Sequence, residues 1–248
     1  MNAYEDLALS YDELTEDVDY PALLAYLREL LALLGARPGR VLDLACGTGS
    51  MTLLLCESGY EVIGADLSED MLTMAYSKTA SLPPEQRPLL IHQAMQALDL
   101  PKKADLALCL LDSLNYLTDP ADLRETLRRV HDSLSEGGVF LFDVNTLTKF
   151  TEMDDQVWLD ETDTSYCVWR TEYDAGTELC SYGVDLFRRR GRLWERSFEE
   201  HWERYYSPET LERLLREAGF IEVRFFGDRA LTPPTPSDRR IFVAATRK

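Results

Sequence analysis

Val41-Leu42-Asp43-Leu44-Ala45-Cys46-Gly47-Thr48-Gly49-Ser50 joins an apolar strand, ending in an acidic residue, to a small-residue turn that opens a helix. A second strand, Glu61-Val62-Ile63-Gly64-Ala65-Asp66, also closes on a carboxylate. Small residues at Ala45, Gly47 and Gly49 let the turn backbone approach a ligand closely. Asp66, at the strand tip, is placed to accept hydrogen bonds from both hydroxyls of a ribose, so the unit reads as a nucleoside-binding α/β turn.

Outward from this turn the β/α alternation continues. Leu23, Leu24, Leu27, Leu30, Leu31 and Leu34 recur at helical spacing after Pro21 and predict a helix leading into the first strand. Further helices are expected over 50–58, 68–79, 120–134 and 208–218, and strands over 89–93, 105–110, 139–144, 221–226 and 240–246. The run from Asp105 to Leu110 is almost wholly apolar, as a central parallel strand buried on both faces must be. From Val157 to Tyr206 the texture turns to Thr, Tyr, Trp, Val and Phe with alternating charges, broken at Asp174-Ala175-Gly176 and Arg190-Gly191-Arg192. Three antiparallel strands are expected there, near 157–171, 178–189 and 193–205, forming a cap inserted after the fifth strand. Residues 1–150 and 207–248 then make the ligand-binding α/β domain, and 151–206 the cap.

The bulk numbers narrow the function class. A chain of 248 residues that is 45% hydrophobic can bury one large core. With 44 acidic against 26 basic residues the net charge is -18, which repels polyanions and argues against general nucleic-acid binding. Cys46, Cys56, Cys109, Cys167 and Cys180 show no paired short spacing of the metal or redox type, and no metal is expected. They read as buried thiols of a reducing compartment. The start, Met1-Asn2-Ala3-Tyr4-Glu5-Asp6, has no signal-peptide pattern, and no segment approaches the roughly 20 apolar residues that span a bilayer. A soluble, cytoplasmic protein is expected.

Two cofactor classes use a turn of this kind. A dinucleotide fingerprint needs glycine at its first, third and sixth positions, and the sixth position from Gly47 is Thr52. Asp43-x-Ala45-x-Gly47-x-Gly49, with Asp66 closing the next strand, instead resembles the first two motifs of class I S-adenosylmethionine-dependent methyltransferases of the small-molecule type. The resemblance extends to Ala8-x-x-Tyr11-Asp12, to Ile91-His92-Gln93-Ala94-Met95 as the adenine loop, to Leu111-Asp112-Ser113-Leu114-Asn115-Tyr116 as the fourth motif, and to Glu217-Ala218-Gly219-Phe220. It implies a Rossmann-like, doubly wound, mostly parallel seven-stranded sheet with an antiparallel β cap, S-adenosyl-L-methionine as cofactor, and methyl transfer to a small-molecule acceptor.

By the same resemblance the cofactor contacts are Tyr11, Asp43, Ala45, Gly47, Gly49, Asp66, Leu67, Met71, Ala94, Met95 and Leu111. Ala94 stands where relatives carry an aspartate for the adenine amine, so a backbone contact at Met95 is expected. Asp112 and Tyr116 lie at the carboxyl edge of the sheet, where open α/β folds bind ligands. Asp112 orients an acceptor amine or hydroxyl, favours the sulfonium charge, or caps the following turn. His201, in Phe198-Glu199-Glu200-His201-Trp202, is the best-placed proton-transfer group or else a strand residue on a solvated face. Met71 covers the adenine or belongs to the core. Rival readings are an RNA or protein methyltransferase, a nicotinamide-dependent oxidoreductase, and a cofactor-binding protein without catalysis.

Overall fold

The computed structural model describes residues 18–248. In chain order its strands are β1 (Arg40–Leu44), β2 (Glu61–Asp66), β3 (Leu89–His92), β4 (Ala104–Cys109), β5 (Leu134–Asn145), β6 (Gln156–Glu161), β7 (Ser165–Asp174), β8 (Leu179–Arg190), β9 (Leu193–Arg204), β10 (Phe220–Phe226) and β11 (Arg240–Arg247). The helices are α1 (Tyr20–Leu33), α2 (Ser50–Glu57), α3 (Glu69–Thr79), α4 (Pro120–Ser133), α5 (Leu147–Met153) and α6 (Pro208–Glu217).

Seven strands make one sheet in the order β10-β11-β5-β4-β1-β2-β3. β1 runs parallel to both β2 and β4, so the winding direction reverses beside β1 and leaves a crevice at its carboxyl end. β11 lies antiparallel to β5, Arg240 opposite Asn145. Both faces of the sheet are covered because its strands alternate apolar side chains to either side. Phe140, Phe142 and Val144 pack with Leu123, Leu127 and Val130 of α4 and Leu211, Leu214 and Leu215 of α6. Leu141, Val41 and Leu106 pack on the other face with Leu23, Leu27 and Leu30 of α1 and Leu55 of α2. Each fully buried leucine contributes roughly 1.5–3 kcal/mol.

The cap is a four-stranded antiparallel sheet, β6-β7-β8-β9, where the sequence predicts three strands. The expected first strand folds back on itself at Thr162. That hydroxyl accepts from the N–H of Thr164 (3.2 Å) and of Ser165 (2.9 Å), making a turn without glycine or proline. Helix α5, which the sequence reading missed, is capped by Thr146, whose hydroxyl accepts from Lys149 N, and buries Phe150 and Met153. β5 starts earlier than expected, at Leu134, with a register irregularity against β4 that takes up Gly137 at φ 73°.

Candidate functional site

After β1 the chain turns through three left-handed residues, Ala45 (φ 58°), Gly47 (φ 54°) and Gly49 (φ 79°). For Ala45 this conformation costs roughly 1–2 kcal/mol. The two glycines do different things. A methyl group at Gly47 would meet nothing within 4 Å, so the space before it is open. A methyl group at Gly49 would lie 2.8 Å from Ala75 Cβ, so this glycine lets α2 and α3 pack together. The Gly47 N–H donates to Asp66 Oδ2 at 2.8 Å, and the Ser68 N–H donates to Oδ1 at 2.9 Å. The Leu67 N–H also acts on this carboxylate, which has about four acceptor positions in all and so retains acceptor capacity. Burial raises the Asp66 carboxyl above its ordinary value, and the N–H groups of Ser68 and Gly47 oppose the rise.

Asp43 lies beneath the turn, 3% exposed, and its Oδ2 accepts from the Thr52 hydroxyl at 2.5 Å. Burial pushes this carboxyl up to about 6, with the Thr52 bond opposing and the Asp66 charge adding. Thr52 therefore has a positive task at the position where a dinucleotide site would have glycine.

A cavity of about 330 Å³ opens at the carboxyl ends of β1 and β2. Its lining includes Ala45, Gly47, Asp66, Leu67, Met71, Ala94, Met95 and Leu111, and its far wall Ser113, Tyr116, Leu117 and Thr118. Asp43 and Gly49 lie behind that lining, and Tyr11 is outside the described residues. Met71 lines the cavity and is 3% exposed. The Gln93 amide holds the Asp99 backbone N–H at 3.0 Å. A nucleoside fits this arrangement: the Asp66 carboxylate keeps acceptor capacity, the space at Gly47 is open, and Leu67 and Met71 supply an apolar face.

The fourth-motif loop begins with two consecutive left-handed residues, Leu111 (φ 56°) and Asp112 (φ 53°). Their N–H groups donate to Oδ1 and Oδ2 of Asp143 at 2.8 and 2.9 Å. Arg240 bridges Asp143 and Asp112. The Asp112 side chain does not cap the Ser113–Tyr116 turn; its carboxylate is paired with Arg240. Burial pushes Asp112 up, but Arg240 and then Lys149 outweigh it and hold the carboxyl below its ordinary value.

His201 is 4% exposed, so it does not lie on a solvated face. Its ring is 6.2 Å from the Tyr116 ring, edge on, and its Nε2 is 3.1 Å from Glu199 Oε2. β9 is tied to the fourth-motif loop below this pair. Asn115 Nδ2 donates to Arg204 O (2.8 Å), Arg204 Nε to Thr118 O (2.5 Å), and the Tyr206 hydroxyl to Leu117 O. Glu203, 2% exposed, accepts from Asn145 Nδ2 at 2.8 Å, and Lys149 Nζ donates to Asn145 Oδ1 at 2.9 Å. Burial and then the Asp112 charge push Glu203 up to about 8.

Sequence reasoning missed Thr52, Asn145, Lys149, Glu203 and Arg240 as parts of this assembly. Asp143 and Asn145 did carry a signal, being polar residues on an otherwise apolar central strand. All five cysteines are unpaired and buried, and burial pushes the Cys56 thiol up to about 11 and those of Cys167 and Cys180 to about 12. Among the described residues no helix is long and apolar enough to cross a membrane.

Comparison with known proteins gives consistent matches. A family model described as a methyltransferase domain matches residues 17–223. YqeM of Bacillus subtilis (strain 168), a protein provisionally named a methyltransferase, is 31% identical over 98% of this chain and 97% of its own. The crystal structure of an S-adenosylmethionine-dependent methyltransferase from Clostridium acetobutylicum ATCC 824 is 30% identical, covers 99% of each chain and superposes with a TM-score of 0.87. A demethylmenaquinone methyltransferase from Symbiobacterium thermophilum is 27% identical over 90% of this chain and 84% of its own.

Proposed function

Because the chain belongs to the class I S-adenosylmethionine-dependent methyltransferases, we propose that it methylates a small-molecule acceptor held between the donor cavity and the cap sheet. The observation that carries this acceptor reading is the packing of β9 on the cavity's far wall, through His201 on Tyr116 and Arg204 on Thr118. The lining itself comes from the core, and β9 braces it from outside; a wall backed in this way suits an enclosed small acceptor better than an open groove for a polymer. The net charge of -18 also disfavours an RNA acceptor. A relative named for demethylmenaquinone, itself a small molecule, agrees with this reading.

S-adenosyl-L-methionine, when bound, supplies an electrophilic methyl group on a sulfonium. Asp66 is assigned to the ribose hydroxyls, Leu67, Met71 and Ala94 to the adenine, and the Met95 backbone to the adenine edge. Ala45, Gly47 and Leu111 shape the remaining cavity, with Asp43 beneath it and Gly49 setting the helix packing; Tyr11 is assigned to the cofactor by the sequence resemblance alone. Tyr116 orients the acceptor and takes the proton that the acceptor loses while passing its own hydroxyl proton to His201, which packs behind it and outside the cavity lining. Asp112 acts through Arg240. Alignment of donor and acceptor accounts for roughly 7–11 kcal/mol of barrier lowering, and proton transfer adds about 100- to 10,000-fold.

The test uses S-adenosylmethionine labelled on its methyl carbon, incubated with the protein and a cell extract divided into small-molecule, RNA and protein fractions. Label entering the small-molecule fraction is the expected result. Label confined to RNA or protein would replace this reading with a macromolecular acceptor.

A further inference from the structure

Leu111 and Asp112 are two successive side-chain-bearing residues in left-handed backbone, at the point where the chain leaves β4 and becomes a wall of the donor cavity. An isolated chain avoids such a pair, so neighbouring groups must hold it. The N–H groups of both residues point at one carboxylate, that of Asp143, which is 1% exposed on β5. Asp112 places a second carboxylate beside it. Two carboxylates sharing a buried site do not both stay ionised unless a cation lies between them.

That cation comes from the far end of the chain. Arg240 opens β11 opposite Asn145, and its planar guanidinium donates through Nη1 to Asp143 and through Nη2 to Asp112. One fork therefore serves two acceptors, a geometry that an ammonium group does not reproduce. We propose that Arg240 is a positioning residue for methyl-donor binding: it holds the Asp143 carboxylate aimed at the two left-handed N–H groups, so that Leu111 stays in the cavity wall. Arg240 touches no ligand in this account and acts through Asp143. The inference concerns the donor cavity alone and stands whatever the acceptor proves to be.

The test compares Arg240→Met, Arg240→Lys and a control on the same strand, Phe242→Leu, whose ring packs against Tyr26 in the core. S-adenosylhomocysteine affinity is measured by calorimetry, amide exchange at Leu111 and Asp112 by NMR, and the thermal midpoint by circular dichroism. Arg240→Met is expected to weaken S-adenosylhomocysteine binding about tenfold or more and to speed exchange at both amides. Arg240→Lys is expected to fall between it and wild type, because the charge remains while the fork is lost. Phe242→Leu is expected to lower the midpoint and leave affinity unchanged. Wild-type affinity and amide protection in a folded Arg240→Met protein would overturn the proposal. If that variant does not fold, Arg240→Lys decides: weaker binding with faster exchange supports the role, and wild-type values for both overturn it.

Discussion

Replacing Asp43 by asparagine is expected to make the protein more stable at neutral pH. The carboxyl is 3% exposed, and burial raises it from an ordinary 3.8 to about 6. A raised folded-state value means that the native protein holds this proton more tightly than the unfolded chain. The associated stability is fully present below pH 3.8 and is lost as pH rises through about 6. At 1.36 kcal/mol for each unit, the ionised group destabilises the fold by about 3 kcal/mol above that window. Asparagine is uncharged at every pH and can still accept from the Thr52 hydroxyl. Urea unfolding of both proteins from pH 4 to 8 should therefore show almost no difference at pH 4, a widening gap through pH 6, and a plateau of about 3 kcal/mol in favour of Asp43→Asn. A variant no more stable than wild type at pH 7 would refute the reasoning. The opposing gain from the carboxylate is expected in ligand binding: Asp43→Asn should weaken S-adenosylmethionine more than S-adenosylhomocysteine, because only the former carries the sulfonium charge.

Thr52→Val removes the side-chain hydroxyl that donates to Asp43. At pH 7 it should lower unfolding free energy by about 1.5–3 kcal/mol, read by urea titration. Gly49→Ala drives a methyl group against Ala75 at a left-handed position and should cost about 1–3 kcal/mol. Adding Ala75→Gly should not rescue it in thermal unfolding, because Ala75 Cα still lies 3.0 Å from the new methyl and glycine costs the helix about 1 kcal/mol. Glu203→Gln should be stabilising with the same sign as Asp43→Asn, but in a higher window. The Glu203 carboxyl is raised from 4.5 to about 8, so the difference should grow from near zero at pH 4.5 and level off only above pH 8 in paired urea titrations.

The sheet was legible because its local signals agree with one another. Apolar strands end in Asp43 and Asp66, small residues fill the turn, and leucines at helical spacing cover the faces. The cap was harder to read. Thr162 and Thr164 favour strands by composition, so a turn closed by a threonine hydroxyl left no glycine or proline to mark it. Helix α5 spans only seven residues and depends on Phe150 and Met153 finding the cap's inner face, a tertiary condition that no short window contains. Every cavity-lining contact that the sequence proposed lies near the turn in sequence or opens a loop after a strand. Arg240 and Glu203 escaped for the opposite reason. Each meets its partners, Asp112 and Asn145, from a distant strand, and only the pairing of β11 with β5 and the docking of β9 bring them together. Asp112 follows β4 at the carboxyl edge of the sheet, but its charge is directed by a residue 128 positions away.

The most direct test is a crystal structure of the protein with S-adenosylhomocysteine. The account predicts both ribose hydroxyls on the Asp66 carboxylate, the adenine against Leu67 and Met71, and the ligand backbone passing Gly47. Density for the ligand at another place, or Asp66 left without a ribose contact in an occupied cavity, would contradict it.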